Sequence, residues 1–183
     1  MERSPVIHQS QTALQGMIPS GDAALGPVAD GPADLSDADR AVALRMLNEA
    51  LSMEMMCAQR CRYQALLARD LNVAAVADEL ERHAVDAQSH VQRLQQRIAE
   101  LNGEPFVSTE HLAYLSQSEY VGGVTLTDML KESLATERMA VAGYREMVSY
   151  LGEKDPVTRN LLEDIMAMEA VQVQNLTTQL AAR

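Results

Sequence analysis

One segment of the chain carries an apolar stripe with helical spacing, and the stripe includes two histidines. In steps of three and four, with one step doubled at Arg97, it contains Val76, Leu80, His83, Ala87, His90, Leu94 and Leu101. Such spacing keeps one face of a helix turned toward a partner. A buried imidazole needs a hydrogen-bond partner or a metal ion. The segment therefore predicts a packed helix whose neighbours supply polar groups to its histidines.

A second helix with the same periodicity is predicted before this one. It begins at Ser36, which resembles a capping box together with Asp39, and it runs to about Arg69. The histidine-bearing helix should start near Asn72, a plausible N-cap, and end at Gly103 in the left-handed position that follows many helices.

Two further helices have equally clear boundaries. Thr125 and Asp128 form the pattern of a capping box, and Gly152 ends that periodic segment. The last helix should take Asp155 as its N-cap and Pro156 as its first residue, because a proline is tolerated at that position.

These four segments predict an all-α fold, a four-helix bundle occupying residues 36–183. The connection over residues 104–124 is too long for a tight turn, so it is interpreted as a long crossover between the second and third helices. The chain ends at Arg183, which leaves no room for a fifth helix. Residues 1–35 are rich in Gly, Pro, Ser and Asp and are predicted to form an extended N-terminal arm.

Charge and hydropathy exclude several classes of partner. The chain has 15 basic and 26 acidic residues, a net charge of −11, which argues against a nucleic-acid partner. No apolar run approaches the roughly 18 residues of a membrane span, so no membrane partner is expected. The first residues lack the order of a signal peptide, which favours a cytoplasmic protein. The two cysteines, Cys57 and Cys61, are expected to be reduced thiols, because a disulfide at that spacing would distort a helix.

Every predicted helix places polar residues about midway along its apolar stripe. These residues are Glu54, His83, His90, Glu137, Glu169 and Gln172. Unpaired ionised groups in one core would cost many kcal/mol, so each needs a partner. A divalent cation is a partner that carboxylates and a neutral imidazole can share. His83 is expected to be structural rather than a ligand.

The four segments resemble the helices of bacterioferritin, a ferritin-like protein with a di-iron site. LNEALSMEMMCAQRC is similar to the first helix, VDAQSHVQRLQQRIAELNGEP to the second, LKESLATERMAVAGY to the third and GEKDPVTRNLLEDIMAMEAVQVQNLTTQL to the fourth. The resemblance covers residues 38–182. It implies catalytic, iron-binding positions at Glu54, His90, Glu137 and Glu169, with Gln172 as a weak further ligand.

The crossover sequence HLAYLSQSEYV, the start KDPVT and the missing fifth helix resemble instead the Dps-like ferritins, also called thioferritins. That resemblance implies a subunit that binds Fe(II), oxidises it with oxygen or peroxide and stores it. It also implies a homo-oligomeric cage, with a dodecamer favoured over a 24-mer.

The resemblance has gaps at the metal ligands. Where the family has Glu-x-x-His on the second helix, this chain has Ala87-Gln-Ser-His90, so one bridging carboxylate is missing. On the fourth helix the motif ends in Gln172 instead of histidine. We therefore expect a degenerate di-iron site with at most one tightly bound metal per subunit, at Glu54, His90 and Glu169, and slow or absent ferroxidase activity.

Other family positions also differ. The methionine that ligates haem in bacterioferritin corresponds to Gln88, so haem is not expected. The redox-active tyrosine of the first helix corresponds to Cys61, and the cysteine pair of thioferritins has no counterpart. Cys57 and Cys61 are open to two interpretations, small buried side chains or thiols beside a metal.

Two other functions remain open from the sequence. The chain could be a non-catalytic structural subunit that assembles with an intact ferritin-like paralogue. It could also be a small redox enzyme that consumes peroxide with one metal and a thiol.

Overall fold

The computed structural model describes residues 35–107 and 125–182. Within them the chain forms four helices, α1 (Asp37–Asp70), α2 (Ala74–Glu100), α3 (Leu126–Leu151) and α4 (Pro156–Ala181), and these described parts contain no strand and no fifth helix. The predicted all-α four-helix bundle is confirmed. The predicted N-terminal arm lies outside the described residues, apart from Leu35.

Contacts between helices fix the direction of the chain through the bundle. α1 packs chiefly on α2 and α3 on α4. Lys154, just after the end of α3, bonds Asp39 near the start of α1. Ser133, near the start of α3, donates to Gln64 near the end of α1. The helices α1 and α3 are therefore antiparallel. A three-residue turn joins α1 to α2, which makes that pair antiparallel as well. It follows that α2 and α3 are parallel and that the connection between them must link opposite ends of the bundle, as a crossover does.

Two apolar clusters fill the bundle, one toward each end. The first includes Leu47, Leu94 and Leu162, and the second includes Leu80 and Leu176. On each helix the buried polar residues named above lie between the members of these two clusters. The bundle therefore has a polar layer across its middle, with an apolar layer on either side.

Three predicted helix starts are confirmed by their hydrogen bonds. The Ser36 hydroxyl accepts from the backbone N–H of Asp39, and Thr125 and Asp128 form a complete capping box. Asp155 accepts from the backbone N–H of Thr158 at the start of α4.

Two predicted helix boundaries are wrong. Asn72 is not the N-cap of α2 but has a φ of 58° in the left-handed turn that closes α1. At the end of α2 the left-handed residue is Asn102, with a φ of 57°, and not Gly103. A Cβ at Gly103 would lie 2.3 Å from Cδ2 of Leu44, so any other residue there would require the Leu44 side chain to shift. Asparagine tolerates the left-handed conformation because its short polar side chain bonds locally.

None of the described helices combines the length and the apolar composition that a membrane crossing requires.

Candidate metal centre

Three buried side chains from three helices meet in the polar layer. Nδ1 of His90 on α2 lies 3.2 Å from Oε2 of Glu54 on α1 and 3.0 Å from Oε1 of Glu169 on α4. All three residues are at most 2% exposed, and one ligand atom from each falls within 4.8 Å of the others. We call these residues the central triad.

The second ring nitrogen of His90 faces a sulfur. Nε2 lies 3.5 Å from Sδ of Met168, which is a weak acceptor. A proton on Nε2 therefore has an acceptor, while Nδ1 faces the two carboxylates. This arrangement orients the ring so that a neutral His90 would present the lone pair of Nδ1 to a cation between the carboxylates.

Without a cation, protons balance the charge of the central triad. Burial by itself would lower the pKa of His90, but hydrogen bonds to Glu169 and Glu54 raise it to about 9. Burial would raise the pKa of Glu169, yet the bonds from His90 and Glu137 bring it below its usual value. Burial raises the pKa of Glu54, and the bond from His90 offsets only part of that rise. An imidazolium proton on His90 thus lies where a cation would lie.

The predicted ligand Glu137 turns toward the cysteines. Its Oε1 accepts from Sγ of Cys57 at 3.3 Å, and Cys57 lies 3.9 Å from Cys61 through their sulfur atoms. Glu137 also lies against Glu169, and two carboxyl groups can share a hydrogen bond only when one is protonated. Burial and the charge of Glu169 raise the pKa of Glu137 to about 10, so Glu137 is that protonated acid at neutral pH.

The two positions that depart from the family pattern are both buried. Ala87 lies on α2 one turn before His90 and offers only a methyl group. Gln172 lies on α4 one turn after Glu169, and its buried Oε1 has no hydrogen-bond partner in the described part of the chain. Neither residue brings a carboxylate to the centre.

The sequence matches the family model described as a ferritin-like domain over residues 44–182. The chain belongs to the ferritin-like family. A comparison with curated proteins returned no match. The family match spans all four helices, so it includes every residue of the centre.

One contact of this ferritin-like centre was not predicted from sequence. The hydroxyl of Tyr144, a buried residue of α3, donates to Oε1 of Glu54 at 2.5 Å. By helical spacing alone, Tyr144 is simply one more residue on the apolar stripe of its helix. A buried phenol nevertheless needs an acceptor. Tyr144 lies on the same helix face as Glu137, two turns later, so a bond to the polar layer could have been predicted.

His83 lies outside the central triad. Its Nε2 is 3.1 Å from Oε1 of Glu79, one turn earlier on the same helix. Asn175 of α4 also donates to that oxygen, at 3.4 Å. The pKa of His83 is lowered, first by burial, so the ring is neutral at neutral pH. These contacts hold one nitrogen of the ring, whereas its buried Nδ1 has no hydrogen-bond partner among the described residues.

The central triad fits a first-row divalent cation. Metal–nitrogen and metal–oxygen bonds of about 2.0–2.2 Å separate neighbouring ligand atoms by about 3.0–3.4 Å. The two measured separations around His90 are 3.0 and 3.2 Å. Apart from the bond with the carboxyl group of Glu137, Oε2 of Glu169 is buried without a hydrogen-bond partner among the described residues. Two carboxylates and an imidazole form a donor set that suits Fe(II), Mn(II) or Zn(II).

Proposed function

We propose that this protein is an iron-handling subunit of a ferritin-like cage, binding one Fe(II) at the central triad. Glu54, His90 and Glu169 would hold the ion, and water would complete its coordination. The observation that carries the proposal is the convergence of Nδ1 of His90 with two buried carboxylates from two other helices.

Iron is the substrate or cargo here, and the residues of the chain bind and orient it. Loss of the Nδ1 proton from His90 frees one ligand, and the remaining proton on Nε2 keeps the ring oriented by Met168. Tyr144 holds Oε1 of Glu54, which leaves Oε2 of that carboxylate facing the imidazole.

A single iron accounts for the departures from the family pattern. Two cations about 4 Å apart need bridging carboxylates to screen their repulsion. Ala87 removes one bridge, and Glu137 faces the cysteines. Oxidation of iron should therefore be slow or absent compared with a two-iron centre.

We propose a closed homo-oligomeric cage of the Dps-like kind, a dodecamer rather than a 24-mer, in the cytoplasm. Membership of the ferritin-like family supports an oligomeric assembly, and the strongly acidic composition would concentrate cations. Mass photometry at micromolar concentration tests the assembly, and a stable monomer would contradict it.

Anaerobic titration with Fe(II), monitored by isothermal calorimetry, tests the iron site. The wild-type chain should bind one tight equivalent per subunit, and His90→Gln should weaken that binding at least tenfold. His83→Gln is the matched control, because His83 is equally buried and lies two turns away on the same face of α2. It should leave iron affinity unchanged.

Two results would contradict the site. Equal weakening by both histidine variants would mean that the helix, and not the ligand, was damaged. A wild-type chain that binds no Fe(II) but still assembles would favour the non-catalytic structural subunit instead.

A further inference from the structure

Two thiols and a carboxyl group meet beside the central triad without being part of it. Cys57 and Cys61 lie one turn apart on α1, and Glu137 reaches them from α3. One ligand atom from each lies within 4.8 Å of the other two. We call these residues the thiol triad.

The spacing of the thiol triad is that of ligands around one tetrahedral ion. Bonds of about 2.3 Å to sulfur and 2.0 Å to oxygen, at tetrahedral angles, separate two sulfurs by about 3.8 Å and sulfur from oxygen by about 3.5 Å. The measured separations are 3.9 Å between the two Sγ atoms and 3.3 Å from Cys57 to Glu137. These two separations lie within a few tenths of an ångström of the expected values, and the third, from Cys61 to Glu137, is no more than 4.8 Å.

From this geometry we propose that Cys57, Cys61 and Glu137 form a second cation site, one for a thiophilic divalent ion such as Zn(II). Thiolate sulfur prefers zinc to harder cations, and Fe(II) is among the weakest binders in the first-row series. Three protein ligands with water in the fourth position give zinc a complete tetrahedral shell.

Binding is an exchange of protons for the cation. Both thiols lose their protons to solvent, and so does Glu137 where it is protonated. The sulfurs and one carboxylate oxygen then donate electron pairs to the ion. No oxidant or reductant is required.

The two triads adjoin each other through Glu137 and Glu169. A zinc ion in the thiol triad would hold Glu137 away from iron in the central triad. The centre would then have one position for a harder ion and one for a softer ion. This inference stands independently of the proposed iron site, because the thiol triad shares no residue with it.

Cobalt(II) is the probe, because thiolate–cobalt charge transfer absorbs in the near ultraviolet and tetrahedral cobalt absorbs in the visible. Anaerobic titration of the full chain should give two cobalt ions per subunit together with both absorptions. Since the chain has only two cysteines, any thiolate band comes from them. Zn(II) should displace the cobalt that gives rise to the band.

Matched variants separate the two positions. The double variant Cys57→Ser with Cys61→Ser, which is nearly isosteric, should abolish the charge-transfer band and leave one cobalt per subunit. Glu137→Gln keeps both thiols and should weaken the band-forming site at least tenfold. Glu54→Gln should remove the other cobalt and preserve the band.

Either of two outcomes would overturn the inference. One is a wild-type titration that ends at one cobalt without a thiolate band. The other is a band that disappears in Glu54→Gln, since the cysteines would then be ligands of the central ion and not of a separate one. Circular dichroism and the melting temperature establish that each variant is folded.

Discussion

Two buried polar clusters in the same bundle differ in how their charges are balanced. Near one end, Arg97 of α2 is 5% exposed and bonds both oxygens of Asp155, at 3.0 and 3.2 Å. Its Nε donates to Thr158 at 2.7 Å, and Thr158 in turn donates to Asp155. We call these three residues the end cluster. The buried guanidinium of Arg97 faces the buried carboxylate of Asp155, and its Nη1 also donates to the partly exposed Glu100 at 3.0 Å.

The polar layer in the middle of the bundle is balanced differently. Three carboxyl groups from Glu54, Glu137 and Glu169 meet one imidazole, so acids outnumber the base. Protons on His90 and Glu137 compensate for the excess, and Oε1 of Gln172 still lacks a partner in the described residues. The end cluster is complete as folded, whereas the polar layer has acceptors that a cation would satisfy. Burial alone does not distinguish a structural ion pair from a binding site, but the balance of donors and acceptors does.

Breaking the end cluster should have the largest effect on stability. Arg97→Met leaves Asp155 as a buried charge without its cation, which should cost about 3–5 kcal/mol of unfolding free energy. The loss of unfolding free energy should be the same whether denaturation is measured with a chelator or with added metal. Adding Asp155→Asn to Arg97→Met should recover part of the stability. If the double variant is as unstable as the single one, the lone charge is not the cause.

An apolar substitution calibrates this comparison. Leu80 is 1% exposed in the second apolar cluster, and Leu80→Ala should cost about 2–5 kcal/mol through lost packing. Urea denaturation measures the change. Added metal should not change this loss, because the apolar side chain of Leu80 offers no ligand atom to the centre.

The polar layer should make metal-free stability depend on pH. The folded pKa values of His90 and Glu137, about 9 and 10, both lie above their unfolded values. Their stabilising contribution is full below the unfolded values of about 6.5 and 4.5 and is lost as pH rises through the folded ones. The raised pKa of Glu54 acts in the same direction. The lowered pKa of Glu169 contributes stability that is lost only under acid conditions.

Between pH 6 and pH 9, the unfolding free energy of metal-free protein should therefore fall by several kcal/mol. Glu137→Gln, which cannot titrate, should flatten the profile. A stability that rises over this range would show that the two groups are not protonated in the fold.

Restoring the family ligands should convert the polar layer into a two-iron centre. Ala87→Glu with Gln172→His supplies the missing bridge and the missing imidazole. The double variant should bind two Fe(II) per subunit and oxidise iron at least about tenfold faster, or roughly 1.4 kcal/mol in barrier. Anomalous scattering counts the metals and stopped-flow absorbance gives the rate. Two fully occupied irons in the unmodified chain would refute the one-iron proposal.

The smallest effect is expected for Glu54→Gln in metal-free protein. Glutamine keeps an oxygen to accept from Tyr144 and removes one of the excess acids, so unfolding free energy should change by less than about 1 kcal/mol. Stabilisation by added metal should be lost. Thermal melts with and without Fe(II) measure both. A strong destabilisation without metal would make Glu54 a structural partner and not a ligand.

Much of this architecture was predictable because its causes are local. Helical spacing and capping residues such as Thr125 and Asp155 act within one or two turns, so the helices and the polar layer were predicted from sequence. The errors at Asn72 and Gly103 were also local. Asn72 was predicted as an N-cap and is a left-handed turn residue, and Gly103 was predicted as left-handed where Asn102 is; only the backbone angles show this.

Helical spacing along the sequence determined which face of each helix is buried, and the tertiary structure alone decided which buried residues meet. Arg97 was interpreted only as an interruption of the apolar stripe, yet it bonds Asp155, which lies 58 residues later in the chain. Glu137 was assigned to iron by resemblance, yet it accepts from Cys57, 80 residues away. Periodicity fixes the face of a helix that a side chain occupies. The rotation and depth at which two helices pack set the distances between side chains on facing helices, and no single helix encodes them.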